Sequence, residues 1–382
     1  MKISCTQENL NQGLFIVSHL ANKNVALPIL NNILFQVKDN AIKLSATNLE
    51  IGISCTIRGK VEQEGEFTVQ SKLLADFVSL LPKERVDLQA SEADDQDQIL
   101  KIDCKNDSTK IKGQAATDFP LIPQVEKNAP YLINHESFRQ ALGQVLFAVS
   151  VNETRPEIGG VLFNFSDNKL TLAATDSYRL AEKSLEFKRK NGDSNRRIIV
   201  PAKTLQELQR ILGSLKDPAS ISDIEEVEIY ISDNQIMFVL GNIELVSRLV
   251  EGQYPDYQQI IPQETKTKVL VETADFVKAI KTAGLFSRIG IYDVKVDILP
   301  GQNQLKVAAI NSQLGENISE LEAEIQGEVN STVLNFRFLL DGLQNINTQK
   351  TEIDLVDSGN PCLLRPEGAE KDYLYIVMPI KQ

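Results

Sequence analysis

The sequence predicts an α+β protein built from three consecutive copies of one domain, each with two helices packed on antiparallel sheets. Three observations carry that reading. A strand–turn–strand pattern recurs as LPILNNILFQVKDNAIKLSATNLE (Leu27–Glu50), RPEIGGVLFNFSDNKLTLAATDSYRL (Arg155–Leu180) and IYDVKVDILPGQNQLKVAAINSQ (Ile291–Gln313). The copies align: Ala46-Thr47-Asn48 meets Ala174-Thr175-Asp176 at an offset of 128, and Ala309-Ile310-Asn311 lies a further 135 on. Helix and strand periods are mixed without strict βαβ alternation, which favours antiparallel sheets. At 382 residues the chain is also too long for one ordinary core.

Each copy opens with a helix. Leu10, Leu14 and Val17 recur at spacings of four and three, as do Phe138, Leu142 and Val145, and then Phe276, Ile280 and Ala283. The strand pair follows, with Asp39-Asn40, Asp167-Asn168 and Gln302-Asn303 at its turns. Asn and Asp tolerate left-handed backbone, so these are hairpin signals with a mechanism. Next come a strand, a second helix and two or three more strands. The second helices are expected over Lys72–Leu81, Pro201–Lys216 and Asn335–Lys350. Leu205, Leu208, Ile211, Leu212 and Leu215 form an apolar stripe on the middle one, with Pro201 in its first turn. Pro-containing links around 123–130 and 262–266 separate the copies, which gives domains 1–125, 126–262 and 263–382.

Composition bounds the function. With 42% hydrophobic and 24% charged residues the chain is a globular protein rather than a disordered one. Neither an apolar signal core nor a run of about 18 apolar residues occurs, so no membrane partner and a cytoplasmic location are expected. Cys5, Cys55, Cys104 and Cys362 are far apart, without a CxxC pair, and read as small buried hydrophobes.

The formal charge of −12 argues at first against nucleic acid, but its distribution matters more. The six expected helical segments (7–23, 72–81, 135–150, 201–216, 274–288 and 335–350) hold 11 basic and 6 acidic residues, leaving 29 basic and 46 acidic elsewhere. Helices that shared one face would make it mildly positive on a negative body. No strongly basic cluster appears, so any grip on phosphate should be loose and salt-sensitive.

No catalytic constellation is visible. His19 and His135 both fall in expected helices, without a neighbouring Ser-Asp pattern or metal-ligand spacing. There is no phosphate-binding glycine loop; Gly159-Gly160 introduces a strand and reads as tight packing. No metal, no cofactor and no enzymatic activity are expected. A binding site is better supported. Thr175–Leu180 leaves a strand with an apolar end, and Tyr375–Ile380 supplies more apolar side chains, including adaptable Met378. By periodicity alone the favoured reading of both stretches is that they are core strands.

Four motifs, in order within a threefold repeat, carry a resemblance: Leu27-Pro28-Ile29-Leu30, Thr175-Asp176-Ser177-Tyr178-Arg179-Leu180, Tyr254-Pro255-Asp256-Tyr257 and the ending Tyr375–Ile380. Along essentially its whole length the chain resembles the bacterial DNA polymerase III β subunit, the sliding-clamp family. The resemblance implies a head-to-tail homodimer whose six domains ring duplex DNA, helices lining the hole. It implies a partner pocket where the replicative polymerase, the clamp loader and repair proteins dock a short apolar linear motif. Carried over, that pocket comprises Ile158, Thr175, Ser177, Tyr178, Arg179, Leu180, Pro255, Gln259, Ile260, Ile376, Met378, Pro379 and Ile380. Gln259 stands where some members have Arg, and Ile380 where some have Met, so the peptide preference is expected to shift. For DNA the matching positions include Asn24, Lys72, Asn152 and Lys203, joined by Lys23, Arg210, Lys278, Lys281 and Arg337. Asn24 replaces an Arg seen in some members. At the subunit joint Thr109 and Ile111 would face Leu285 and Phe286; Thr109 is less apolar than the family's frequent Phe, which predicts a weaker dimer. Two other classes stay open: a three-domain scaffold that never touches DNA, and a hydrolase with an unrecognised site.

Overall fold

Each copy opens on a short strand not expected from the sequence, ahead of the expected helix, and this order repeats three times along the computed structural model, which describes residues 1–21, 27–91, 98–152, 154–190, 195–214, 224–368 and 372–381. The first copy runs β1 Lys2–Thr6, α1 Gln7–Ser18, β2 Asn32–Lys38, β3 Ala41–Thr47, β4 Ile51–Ile57, β5 Lys60–Gln63, β6 Gly65–Gln70, α2 Ser71–Leu80, β7 Arg85–Ala90, β8 Ile99–Cys104 and β9 Asp107–Gln114. The second runs β10 Tyr131–Asn134, α3 His135–Leu146, β11 Gly160–Phe165, β12 Lys169–Thr175, β13 Arg179–Glu186, β14 Arg189–Lys190, β15 Arg196–Pro201, α4 Ala202–Ser214, β16 Glu226–Ile231, β17 Gln235–Leu240 and β18 Ile243–Arg248. The third runs β19 Thr267–Glu272, α5 Thr273–Gly284, β20 Asp293–Leu299, β21 Gln304–Asn311, β22 Gly315–Gly327, β23 Asn330–Asn335, α6 Phe336–Leu343, β24 Lys350–Leu355, β25 Cys362–Pro366 and β26 Tyr373–Val377.

The helix periods translate directly into burial. Leu10, Leu14, Val17, Phe138, Leu142, Val145, Phe276, Ile280 and Ala283 are all buried, as are Leu205, Leu208, Ile211 and Leu212 of α4. Each large apolar side chain so buried stabilises its copy by about 1.5–3 kcal/mol relative to exposure. Leu215 lies outside the described residues. The helix ends are shorter than expected, for local reasons. Pro201 closes the β15 ladder opposite Gly160 instead of opening α4. The run 335–350 gives only two turns of helix: Asn335 caps its start by accepting from the backbone N–H of Arg337 and Phe338. Beyond it only Ile346 of Asn345-Ile346-Asn347-Thr348 is apolar and buried, which is too little to continue the helical face, and Lys350 already belongs to β24. All four cysteines are free and buried. Among the described residues no helix is long and apolar enough to cross a membrane, and no group of three or more His, Cys, Asp or Glu is placed to hold a metal.

The chain divides into two compact units, and the second copy is split between them. Unit one holds a 14-stranded sheet, in the order β14-β10-β16-β17-β18-β4-β3-β2-β6-β9-β8-β7-β1-β5. Unit two holds a 12-stranded sheet, in the order β15-β11-β12-β13-β26-β25-β24-β19-β22-β21-β20-β23. Copies are therefore stitched by strand exchange. The last strand of the second copy, β18, pairs antiparallel with β4 of the first, with Ser247 opposite Ile51 and Ile243 opposite Cys55. The last strand of the third copy, β26, pairs the same way with β13 of the second, with Val377 opposite Arg179 and Tyr373 opposite Lys183.

Two strand segments lack this pairing. In β9, Asp107–Lys112 pair with β8 only, and just Gly113 and Gln114 reach β6. In β22, Gly315–Glu322 pair with β21 only, while Ala323–Gly327 pair with β19. These are the third-copy counterpart of β4 and β13 and the first-copy counterpart of β18 and β26. Each offers one open backbone edge.

Candidate functional site

The motif Thr175–Leu180 lies in unit two and forms a tight loop built from its own side chains. Thr175 Oγ1 donates to the Arg179 carbonyl at 2.6 Å and accepts from the Ser177 N–H at 3.1 Å. Asp176 Oδ1 accepts from the backbone N–H of Tyr178 and Arg179 at 2.9 and 3.0 Å. Short polar side chains that satisfy nearby backbone in this way favour a turn over a continued strand. Ser177 takes a left-handed backbone, φ 78°, and the chain reverses there. The first copy makes the same turn with Thr47, Asn48 and Leu49, whose φ is 77°.

What differs is where the next two side chains go. Tyr178 points outward and is 65% exposed, stacked on Phe338 of α6 with ring centroids 6.4 Å apart. Arg179 turns inward and is held by Asp176, Asp341 and the Phe147 carbonyl. Burial pulls the guanidinium pKa down, but Tyr375, Asp341 and Asp176 outweigh it, and the net shift is upward. The Met378 N–H donates to the Tyr178 carbonyl at 2.9 Å, and its side chain packs against a buried cluster that includes Leu162, Ala173, Leu180, Tyr257, Leu363 and Ile376. Tyr254 donates to the Ala173 carbonyl at 3.2 Å and Tyr257 to Glu182 at 2.5 Å. Burial raises the pKa of both phenols, and Glu182 adds to the effect at Tyr257.

Most positions carried over for the pocket thus converge in one unit, but in two layers. Ile158, Thr175, Leu180 and Ile376 are buried and form a floor. Tyr178, Gln259 and Ile260 are exposed; Pro255, Met378, Pro379 and Ile380 are half-buried. Gln259 donates to Asp256 at 2.8 Å, and the Ile380 N–H donates to the Val333 carbonyl at 2.8 Å, which ties the tail to β23. Three further residues belong to this wall: Phe338, Asp341 and Arg155, whose Nη1 donates to Ser177 Oγ at 3.1 Å. Only Phe338 had a signal in the sequence, an aromatic adjoining the buried Leu339–Leu343 stripe of α6.

The expected DNA-facing residues separate into two kinds. Lys72, Asn152, Lys203, Lys278, Lys281 and Arg337 are exposed, Arg337 lying over the Tyr292 ring at 3.6 Å. Arg210 is half-buried and committed elsewhere: it donates to Glu207 and to the Phe15 and Ile16 carbonyls at the end of α1. Two other helix-region cations are also neutralised, Arg288 by Asp293 and Lys350 by Glu324. Lys23, Asn24 and Lys216 lie outside the described residues. At the expected joint, Leu285 is exposed, Phe286 and Thr109 are half-buried, and Ile111 is buried within its own unit.

A threefold repeat whose copies are joined strand to strand, with exposed Tyr178 and half-buried Met378 over a buried apolar cluster, defines a repeat-built protein. The family models agree copy by copy: residues 1–123 match the N-terminal domain of the DNA polymerase III beta subunit, 132–256 its central domain and 258–381 its C-terminal domain. A "Beta sliding clamp" of Synechocystis is 30% identical over 395 residues, covering 100% of this chain and 99% of that protein. A sliding clamp of Bacillus subtilis superposes with a TM-score of 0.91 at 25% identity, covering 100% of this chain and 99% of that one. A sliding clamp of Pseudomonas aeruginosa bound to griselimycin does so with a TM-score of 0.91 at 25% identity and full coverage of both chains. The chain belongs to the DNA polymerase III beta subunit family, the beta sliding clamps.

Proposed function

We propose that two copies of this chain close head to tail into a six-domain ring around duplex DNA, with domains 1–125, 126–262 and 263–382, and serve in the cytoplasm as the processivity factor of a replicative DNA polymerase. The open edges of β9 and β22 carry this reading. Within the chain, the last strand of each later copy pairs with the strand after the polar turn of the copy before it. Continuing that pairing from the third copy would set the open edge of β22 of one chain beside the open edge of β9 of a second. Two such joints close a ring and cover the open segments of β9 and β22, which removes an aggregation liability there.

The surroundings of the two edges suit each other. Leu285, Ile289, Ile310, Leu314 and Ile318 are exposed on or beside the β21–β22 hairpin and the end of α5 that packs on it, and α2 of the first copy exposes Leu73 and Leu80. Exposed Lys110 and Lys112 on β9 complement exposed Glu316, Glu320 and Glu322 on β22. In this ring Lys72, Asn152, Lys203, Lys278, Lys281 and Arg337 face DNA. A few exposed cations on an acidic body attract the phosphate backbone without reading bases, and a loose grip permits sliding. Retention comes from topology, and a tethered polymerase gains a high effective concentration at the primer end. Polymerase, clamp loader and repair proteins dock at the Tyr178–Met378 recess through short apolar linear motifs.

Loading onto DNA tests the ring. With the host's clamp loader and ATP, the protein should remain on nicked circular DNA in high salt and be lost after linearisation. Equal loss from both forms would sink the topological reading. Griselimycin tests the recess. Tyr178→Ala with Met378→Ala should weaken its binding by tenfold or more, about 1.4 kcal/mol, while the oligomeric state is unchanged. Unaltered binding would mean that partners dock elsewhere.

A further inference from the structure

The Arg179 guanidinium has no charge to offer a partner. Its side chain is 12% exposed. Nε donates to Asp176 Oδ2 at 3.0 Å, Nη1 to Asp341 Oδ2 at 2.5 Å and Nη2 to the Phe147 carbonyl at 2.9 Å. Its faces are covered too, with Cζ 4.6 Å from the Phe338 ring centroid and 5.5 Å from that of Phe147. Arg179 is a post, and two of its three polar anchors come from other elements. Asp341 lies 162 residues downstream on α6, one turn after Phe338, against which Tyr178 stacks. One short helix therefore fixes both consecutive residues of the recess wall.

That helix cannot follow its partners if they move. A Cβ on Gly342, the residue after Asp341, would meet the buried Tyr375 ring at 2.2 Å, so the helix backbone rests directly on the core. The Tyr375 hydroxyl donates to the Phe338 carbonyl at 2.9 Å, and Gln144 of α3 donates to the Asn345 carbonyl at 3.1 Å. Asp341 is thus a fixed point to which Arg179 is drawn. The placement of Arg179 passes to Tyr178 through the backbone, and from the Tyr178 carbonyl to Met378.

We propose that Asp341 is a positioning residue for the partner recess: by anchoring Arg179 to α6 it sets where Tyr178 and Met378 stand, without itself holding the partner. This rests on the reading that partners dock at that recess. It assigns the pair Asp341–Arg179 a role in affinity, whereas an ion pair of purely structural use would change stability and leave the wall where it is.

The chain contains no tryptophan, so Tyr178→Trp introduces a single indole as an optical reporter of the wall. In that background Asp341→Asn, which keeps the size and removes the charge, should shift the indole emission and lower its anisotropy before any ligand is added. Griselimycin binding should weaken by about tenfold relative to the Tyr178→Trp protein alone. Asp341→Glu retains a carboxylate and should recover part of both signals; it carries the same measurement if Asp341→Asn fails to fold. An unchanged indole signal in both Asp341 variants overturns the proposal. So does equal griselimycin binding by parent and variants. If the unsubstituted protein does not bind griselimycin at all, the recess reading fails, and the ligand-free indole signal still decides whether Asp341 places the wall.

Discussion

Two lysines at the open edge of β22 and the turn that leads into it, Ile318→Lys with Leu314→Lys, will leave a 42.5 kDa monomer that is lost from nicked circles as fast as from linear DNA. Both residues are at least half exposed and lie where the intrachain register, continued to a second copy, brings β9 alongside. The change removes apolar surface and faces Lys110 and Lys112 with like charge, the means by which natural edge strands are kept from pairing. A ring requires both joints, and each carries the same two lysines. Loss of retention is therefore expected to be complete rather than graded. Mixing with chains bearing Lys110→Glu and Lys112→Glu should restore retention, because each joint of the mixed ring then pairs unlike charges or wild-type edges. A doubly substituted chain that remains a dimer would place the joint elsewhere.

Arg179→Leu is expected to be the most destabilising single change in unit two. Removing one member of a buried charge cluster leaves the others unpaired, at a cost of about 3–5 kcal/mol. The low end applies here: Asp341 is 43% exposed and its carboxylate can rehydrate, whereas Asp176 is only 17% exposed. Urea unfolding of the unit-two transition measures it. Lys203→Gln and Lys278→Gln provide the contrast. Both lysines are exposed and without a carboxylate partner among the described residues, so each should cost less than about 0.5 kcal/mol. Comparable losses at all three positions would remove the distinction drawn between a structural cation and surface ones.

That distinction marks how far the sequence could be read. The 11 cations of the expected helical segments look alike in the sequence. In the fold Arg210 spans from Glu207 to the carbonyl end of α1, about 195 residues away in sequence, and Arg288 and Lys350 are matched by nearby acids. A basic face persists in Lys72, Lys203, Lys278, Lys281 and Arg337, yet no pattern in the sequence separates these from the three that are paired. The pocket divides similarly. The loop Thr175–Leu180 could be located from its departure from the two sibling turns. That Leu180 and Ile376 form a floor while Tyr178 and Met378 form the wall depends on what packs behind them.

Spacing along the sequence states the threefold repeat, the apolar face of each helix, the hairpin turns and the copy whose polar turn departs from its siblings. All of these rest on local spacing: a period of 3.6 or 2 states which side of an element must leave water, and Thr-Asp side chains close a turn within five residues. Tertiary structure alone decided which element covers each face. It split the second copy between two sheets, left one edge of β9 and one of β22 open, and brought Phe338 and Asp341 against Tyr178 and Arg179. Strand partners and ion pairs between residues more than a hundred positions apart have no periodicity of their own. They are chosen by the packing that pairs backbone edges and buried charges together.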